Sequence, residues 1–218
     1  MISVVIPTHN AAAVIGPCLG ALVEGAVNGV VRELIVSDGG STDDIADIAE
    51  GCGADFLTGP KGRGGQLARG ASAARGPWLL FVHADTVLAD GWVEAVTKFI
   101  ADAHADQVAC FTFALADHDK RARRVEKWVK RRVQWFGLPY GDQALLIHES
   151  AYRKLGGFPD QPLMEDVALI RKVKKRNLVV LPVEARTGAS RYRQDGYWAR
   201  PLKNLGLLAL YYVGMSPR

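Results

Sequence analysis

Four short apolar runs in the first 82 residues, separated by segments of helical spacing, limit this chain to an α/β fold more strictly than any other feature. The runs are Ile2–Ile6, Val31–Val36, Ala54–Leu57 and Trp78–Val82. Between them lie Ala11–Ala26, a segment through Ile45 and Ile48 that Ser41 or Thr42 caps, and Leu67–Ala74. Strand and helix alternating at this pitch predict right-handed βαβ units and a parallel sheet. Ligands of such sheets sit beyond the carboxyl ends of the strands. Those ends are Thr8-His9-Asn10, Asp38 and His83–Asp85, far apart in sequence and brought together by the topology.

The second half is less regular. Helices are expected over Asp90–Ala103, Asp119–Phe136, Glu165–Lys175 and Tyr197–Val213, and strands over Val108–Leu115 and Leu178–Val183. The stretch LPYGDQALLIHES reads as a loop entering a strand. A chain of 218 residues, 49% apolar and without an internal repeat, fits one domain. Residues 1–105 form its nucleotide-binding half and residues 106–218 the half that handles the acceptor. No run of about 20 apolar residues predicts a membrane span. MISVVIPTHN reads as a first strand rather than a signal peptide. Cys18, Cys52 and Cys110 are scattered and odd in number, which points to a reducing, cytoplasmic setting without disulfides or a zinc site.

Net charge is +4, and the excess is local: Lys120 to Arg132 (KRARRVEKWVKRR) holds eight basic residues and one acid. Such a surface favours phosphates, nucleic acid or anionic lipid, or is simply a solvated helix face. No nucleic-acid partner is expected. With the apolar segment Leu202 to Val213 the basic helix would suit the inner face of an anionic membrane and a lipid acceptor; core packing of the apolar segment is the competing reading.

Several motifs carry chemistry, each with an ordinary use beside the sharp one. Asp38, before Gly39-Gly40, can accept from a ribose hydroxyl or a base N–H, or serve as a turn aspartate. Lys61, Arg63 and Arg69 lie in GPKGRGGQLARG, where glycines admit a ligand and cations meet phosphate oxygens; the alternative is an exposed loop over Gly59–Gly65. It is neither a Walker loop nor a dinucleotide fingerprint. His83 and Asp85 flank Ala84 on an extended chain, so both side chains face one side. Asp85 offers a hard oxygen to Mn2+ or Mg2+, and His83 is a second ligand or a structural histidine. Glu165 and Asp166 open a helix, where acids are favoured in any case; Asp166 would also serve as a general base. Arg186, Arg191, Arg193 and Arg200 lie among Tyr192, Tyr197 and Trp198, as a phosphate or acceptor clamp or as ordinary cation–π surface.

In this order the motifs resemble the family-2 glycosyltransferases of GT-A fold. SVVIPTHN resembles their opening strand, VSDGGSTD their VDDGSTD turn, ARGASAARGPWLLFVHADT the segment ending in their DxD motif, and PLMEDVALIRKV their later Glu-Asp motif. GLPYGDQALLI, GGFPDQPLMEDVALIRKV and SRYRQDG further resemble a small bacterial subgroup, the "transferase 2, radical-SAM/selenodomain-associated" type. The resemblance implies a GT-A-type, mostly parallel central sheet flanked by helices. It implies an inverting transfer from a UDP- or GDP-sugar, assisted by Mn2+ or Mg2+, to an acceptor hydroxyl that the sequence does not name. Pro7, Thr8, Asn10 and Asp38 would border the base and ribose. Arg63 and Arg69 would lie near the phosphates. Ala84 and Asp85 match the end of DxD, with Asp85 on the metal. Asp166 matches the base, with Glu165 beside it, and Arg191 and Arg193 loosely match a motif that supports the diphosphate. His83 stands where the family has the first aspartate of DxD, and Gly39 where it has a second acid.

Two other classes compete. A nucleotidyltransferase would share the nucleotide-binding half and a metal, but such enzymes place a basic, Gly-rich loop after the first strand, where this chain has THNAAAVIG. A non-catalytic nucleotide-sugar-binding module would explain His83; the presence of Asp85 and Asp166 speaks against it.

Overall fold

The computed structural model describes residues 1–161 and 163–212. Strand β1 (Ile2–Thr8) lies between β2 (Val31–Asp38) and β4 (Trp78–Phe81), parallel to both, and β3 (Asp55–Thr58) continues the parallel half beyond β2. The register places Thr8 opposite Asp38 at the carboxyl edge. The other half is mixed. Strand β7 (Leu145–His148) runs antiparallel to β4 and to β6 (Val108–Leu115), β8 (Leu178–Thr187) runs parallel to β6, and β5 (Thr86–Leu88) closes the far edge antiparallel to β8. The order is β3-β2-β1-β4-β7-β6-β8-β5.

The period-2 pattern of β1 divides the core. Ile2, Val4 and Ile6 face helices α1 (Ala12–Val27), α2 (Ile45–Gly51) and α4 (Trp92–Asp102). Val5 faces the opposite layer, with Leu67 of α3 (Arg63–Ala73), Tyr152 of α6 (Glu149–Lys154) and Leu169 of α7 (Glu165–Ile170). Helix α5 (Lys120–Phe136) packs Val125, Val129 and Val133 against Phe113 and Leu115 of β6, as their spacing predicts. Asp119 caps it, accepting from the Arg121 N–H at 2.7 Å, and Gly137 ends it in the left-handed conformation.

The structure departs from the sequence expectations in particular places. The stretch Gly59–Gly65 is not wholly a loop: α3 begins at Arg63, with the Gln66 N–H closing the first turn on the Gly62 carbonyl at 2.9 Å. The helix expected over Glu165–Lys175 stops at Ile170. Continuing it would stack Arg171 on Lys174 and Lys175, like charges at i,i+3 and i,i+4. Strand β8 runs on past Val183 to Thr187, because its end pairs with β5, which no periodicity announces over three residues. Two short helices, α6 and α8 (Ser190–Asp195), were likewise not expected. The last helix, α9, spans Ala199–Tyr212; Val213 lies outside the described residues. Among the described residues no helix is long and apolar enough to cross a membrane. All three cysteines are free, and burial pushes the Cys18 and Cys110 thiols up to about 12.

Candidate active site

The first wall of the site is the edge where β1 and β2 end. Asp38 is 2% exposed, and each of its carboxylate oxygens accepts two hydrogen bonds. Oδ1 takes the Thr8 hydroxyl at 2.9 Å and the Ser41 hydroxyl at 2.5 Å; Oδ2 takes the N–H groups of Gly40 at 2.8 Å and Ser41 at 2.7 Å. Burial raises the Asp38 carboxyl, but these bonds, led by those from Ser41, outweigh it and hold the group below the usual carboxylate range. Asn10 turns the chain in a left-handed conformation; its N–H donates to the Ser41 hydroxyl at 2.8 Å and its Oδ1 accepts from the Thr42 N–H at 2.9 Å. Pro7, opposite Ser37, is half-buried beside them.

Helix α3 backs this wall. Gln66, buried, donates to the carbonyls of Thr8 at 2.5 Å and Ser37 at 3.0 Å, locking the two strand ends together. Arg69 donates to the Asp38 carbonyl at 2.6 Å. A Cβ on Gly59 would lie 2.3 Å from the Arg69 guanidinium, so glycine is required there to let that side chain through. In this part of the Gly-rich segment the close approach serves the protein's own arginine.

A second wall faces it. Arg63 is ion-paired with Glu165, which is fully buried, and the second oxygen of Glu165 has no hydrogen-bond partner. Burial, then the neighbouring Asp166, pushes the Glu165 carboxyl up against the pull of Arg63. Asp166, half-buried, accepts the Gly141 N–H at 2.7 Å through Oδ2 and the N–H of Val167 at 2.7 Å through Oδ1. Gly141 is wedged in turn against His83: a Cβ there would lie 2.6 Å from His83 Nε2 and 3.4 Å from Asp166 Oδ2. The loop between α5 and β7 thus joins the histidine of one half to the aspartate of the other. A narrow cleft between them is lined by Leu67, His83, Tyr140, Gly141, Glu165 and Asp166.

His83 and Asp85 do not lie on an extended chain. The Thr86 N–H bonds back to the His83 carbonyl at 3.0 Å, so residues 83–86 form a turn, and the alternation that would point both side chains to one side does not hold. Ala84 is buried in that turn. The Asp85 carbonyl accepts the Gly188 N–H at 3.0 Å, and the Asp85 carboxylate lies against Gly188, just past β8. Arg193, on α8, is bound to Asp117 at 2.9 Å, with the Tyr197 hydroxyl on the same oxygen at 2.5 Å; they line a cavity of about 460 Å3 together with His118, Arg121 and Tyr192. Arg191 lies on the same helix, and its side chain is outside the described residues.

Sequence reasoning passed over Asp142, which follows the Gly141 wedge. Its Oδ1 is buried without a hydrogen-bond partner. Burial raises the carboxyl to about 6; Asp166 and Asp85 add to the rise, and Arg132 and Arg63 oppose it. Asp142 therefore shares one electrostatic environment with Asp85, Asp166 and Arg63. The only sequence signal was its place in the GLPYGDQALLI string. In the metal-free protein, Asp142→Asn should be more stable than the parent by about 2 to 3 kcal/mol at neutral pH. The folded pKa lies above the unfolded one, so ionising Asp142 costs stability as pH rises from about 4 to 6, and the advantage of the variant should vanish by about pH 4. Melting temperatures of both proteins across that range check this.

The donor set is of the kind that a hard divalent cation takes. Asp85 offers carboxylate oxygens, the orphaned Asp142 Oδ1 lies in the same field, and His83 stands beside them. Among the described residues no three His, Cys, Asp or Glu side chains are arranged to hold a metal unaided, so an ion would complete its shell with water or ligand oxygens.

The family model described as "Glycosyl transferase family 2" matches residues 3–156. The chain belongs to this family. The glycosyltransferase expectation is thereby borne out at family level. A relative from Mycobacterium tuberculosis (strain ATCC 25618 / H37Rv), "PGL/p-HBAD biosynthesis glycosyltransferase Rv2957", is 37% identical over 95 residues, 40% of this chain and 36% of its own length. The chain thus spans little more than a third of that relative. Solved structures of similar fold include S. aureus TarS 1-349, with a TM-score of 0.65 at 18% identity over 85% of this chain and 60% of that one. Glucosyl-3-phosphoglycerate synthase from M. tuberculosis, in complex with Mn2+, uridine diphosphate and phosphoglyceric acid, gives 0.62 at 21% over 86% and 71%. Mannosyl-3-phosphoglycerate synthase from Rubrobacter xylanophilus gives 0.66 at 16% over 98% and 75%. These likenesses bear out the GT-A architecture of this family-2 chain.

Proposed function

We propose that this family-2 chain is an inverting glycosyltransferase that moves a sugar from a UDP- or GDP-sugar to an acceptor hydroxyl. The observation that carries the reading is the Gly141 wedge, which sets the Asp166 carboxylate opposite His83 and the turn bearing Asp85. Asp166 takes the proton of the acceptor hydroxyl while that oxygen bonds to the anomeric carbon. The bond from this carbon to the diphosphate oxygen breaks on the opposite face, and its electron pair leaves with the nucleoside diphosphate. Pro7 and Asn10 would form the wall for the base and ribose, with the buried Thr8 and the fully hydrogen-bonded Asp38 holding it in shape from behind. Arg63 and Arg69 bring positive charge towards the phosphates, and Arg191 and Arg193 are candidates for the same task. Glu165 holds Arg63 in place. Asp85, with His83 beside it, would hold Mn2+ or Mg2+, whose Lewis acidity offsets the charge of the leaving diphosphate.

Support for the donor comes from similar folds: TarS has been crystallised with UDP-GlcNAc, and glucosyl-3-phosphoglycerate synthase with Mn2+ and uridine diphosphate. The strings around Asp142, Glu165 and Tyr192 support the narrower radical-SAM/selenodomain-associated subgroup, and the acceptor is proposed to be a lipid met at the cytoplasmic membrane face. The test is calorimetric titration with UDP-glucose, GDP-mannose and the free diphosphates, with and without Mn2+, alongside Asp85→Ala. Metal-dependent binding of one nucleotide, lost in the variant, is expected. No binding of any nucleotide in either condition would sink the reading.

A further inference from the structure

The outer face of α5 is built unlike an ordinary solvated helix. Arg124, Trp128, Arg131 and Trp135 follow one another at intervals of four, three and four residues, which places them on one stripe. All four are exposed, Trp128 by 39% and Trp135 by 66%, and Phe136, also 66% exposed, packs edge-on against Trp135. Lys127 and Lys130 flank the stripe and are exposed too. The single acid of the helix, Glu126, is engaged at the inner edge by the Leu115 N–H and Arg123. Lys175 donates to the Trp135 carbonyl at 3.1 Å, so the exposed cationic turn Lys174–Arg176 lies beside the end of the helix.

Large exposed aromatic rings set between cations that no acid pairs with among the described residues mark a surface that something covers, although the Arg132 guanidinium lies 5.9 Å from the centre of the Trp128 ring. Indole rings favour the boundary between hydrocarbon and head groups, and lysine and arginine stems reach from there to lipid phosphates. Single-stranded nucleic acid stacks its bases in a positively charged groove, whereas these rings stand on the convex side of a helix. A second copy of this face would meet its own positive charge. We propose that the Arg124–Phe136 face of α5, with the Lys174–Arg176 turn, is a docking surface for an anionic lipid bilayer. The inference deepens the proposed function by naming the surface that brings the enzyme to its acceptor, and it rests on that reading only for this purpose.

The full-length chain should sediment with vesicles containing about 30% phosphatidylglycerol but not with pure phosphatidylcholine vesicles, with a blue shift of tryptophan emission. Raising salt to about 0.5 M should weaken the binding at least tenfold, as screening of surface charges demands. The double variants Trp135→Ser/Phe136→Ser and Lys127→Glu/Arg131→Glu should each lose at least tenfold in vesicle affinity while binding UDP-glucose or GDP-mannose as the parent does. Equal binding to both vesicle types, no vesicle binding by the folded parent, or tighter binding to a single-stranded oligonucleotide than to the anionic vesicles would overturn the inference. The nucleotide titration is read separately on the same proteins, so failure of the docking surface is distinguishable from failure of the glycosyltransferase reading.

Discussion

Asp166→Asn should lower turnover by about 100- to 10,000-fold, the range for removing a general base, while nucleotide affinity stays within about twofold. The asparagine keeps the shape, and its single oxygen can still accept the Gly141 N–H, now 2.7 Å from Asp166 Oδ2, while the Val167 N–H loses its side-chain acceptor. What it loses is the capacity to take a proton from the acceptor. The split between turnover and binding is the diagnostic: a structural role for Asp166 would move both. Single-turnover rates with the donor and acceptor of the parent enzyme, beside a nucleotide titration, provide the check. Turnover within tenfold of the parent would remove Asp166 from the role and direct attention to Asp142, another carboxylate of the same field.

The second large effect is on stability. Arg63→Ala leaves the Glu165 carboxylate fully buried, with neither oxygen paired by a side chain. Stripping one partner from a fully buried pair costs about 3 to 5 kcal/mol because the remaining charge is stranded; the Arg63 side chain is 35% exposed, and solvent screening brings the expected loss here to about 1 to 3 kcal/mol. A lower denaturant midpoint with an unchanged slope is therefore expected. The double variant Arg63→Met/Glu165→Gln should recover much of the loss, since it removes both charges while roughly keeping their volume. If Arg63→Ala alone unfolds at the parent's midpoint, Glu165 is not a stranded charge and the pair holds nothing together.

The parallel half of the fold was legible because β1, β4 and the end of β2 are buried on both faces and read as plain apolar runs ended by polar residues; β3, at the edge and half exposed, is the weakest of its signals. The carboxyl-edge residues Thr8, Asn10 and Asp38 were legible for the same reason: where the run stops, the site begins. The antiparallel half was read less well. Strand β5 has three residues, too few for a period, and α7 ends at Ile170 without a glycine or proline to mark the stop. The site shows the same division. Asp166 and Asp85 stand in strings that resemble a family, and Arg63 in a visibly Gly-rich segment. Asp142 and Gln66 stand in strings of the same kind but drew no reading, since their importance comes from burial and from what their neighbours present to them. Among the described residues, three non-glycine residues with left-handed backbones, Asn10, Ala144 and Met164, sit at the joints of the site, and no side-chain pattern marks them.

Arg132 lies on the buried side of α5. It donates to the Leu138 carbonyl at 2.9 Å and to Gln143 Oε1 at 3.3 Å, and its guanidinium lies 3.4 Å over the centre of the Tyr140 ring. Gln143 reaches on to the Phe111 carbonyl of β6 at 3.0 Å. The helix and the loop carrying Gly141 and Asp142 are therefore fastened to each other at several points. Whatever seats the outer face of α5 also sets the height and tilt of the loop that grips Asp166. Under the proposed reading, an acceptor anchored in the same plane would meet the Asp166 carboxylate at a fixed depth, and its search would be confined to two dimensions.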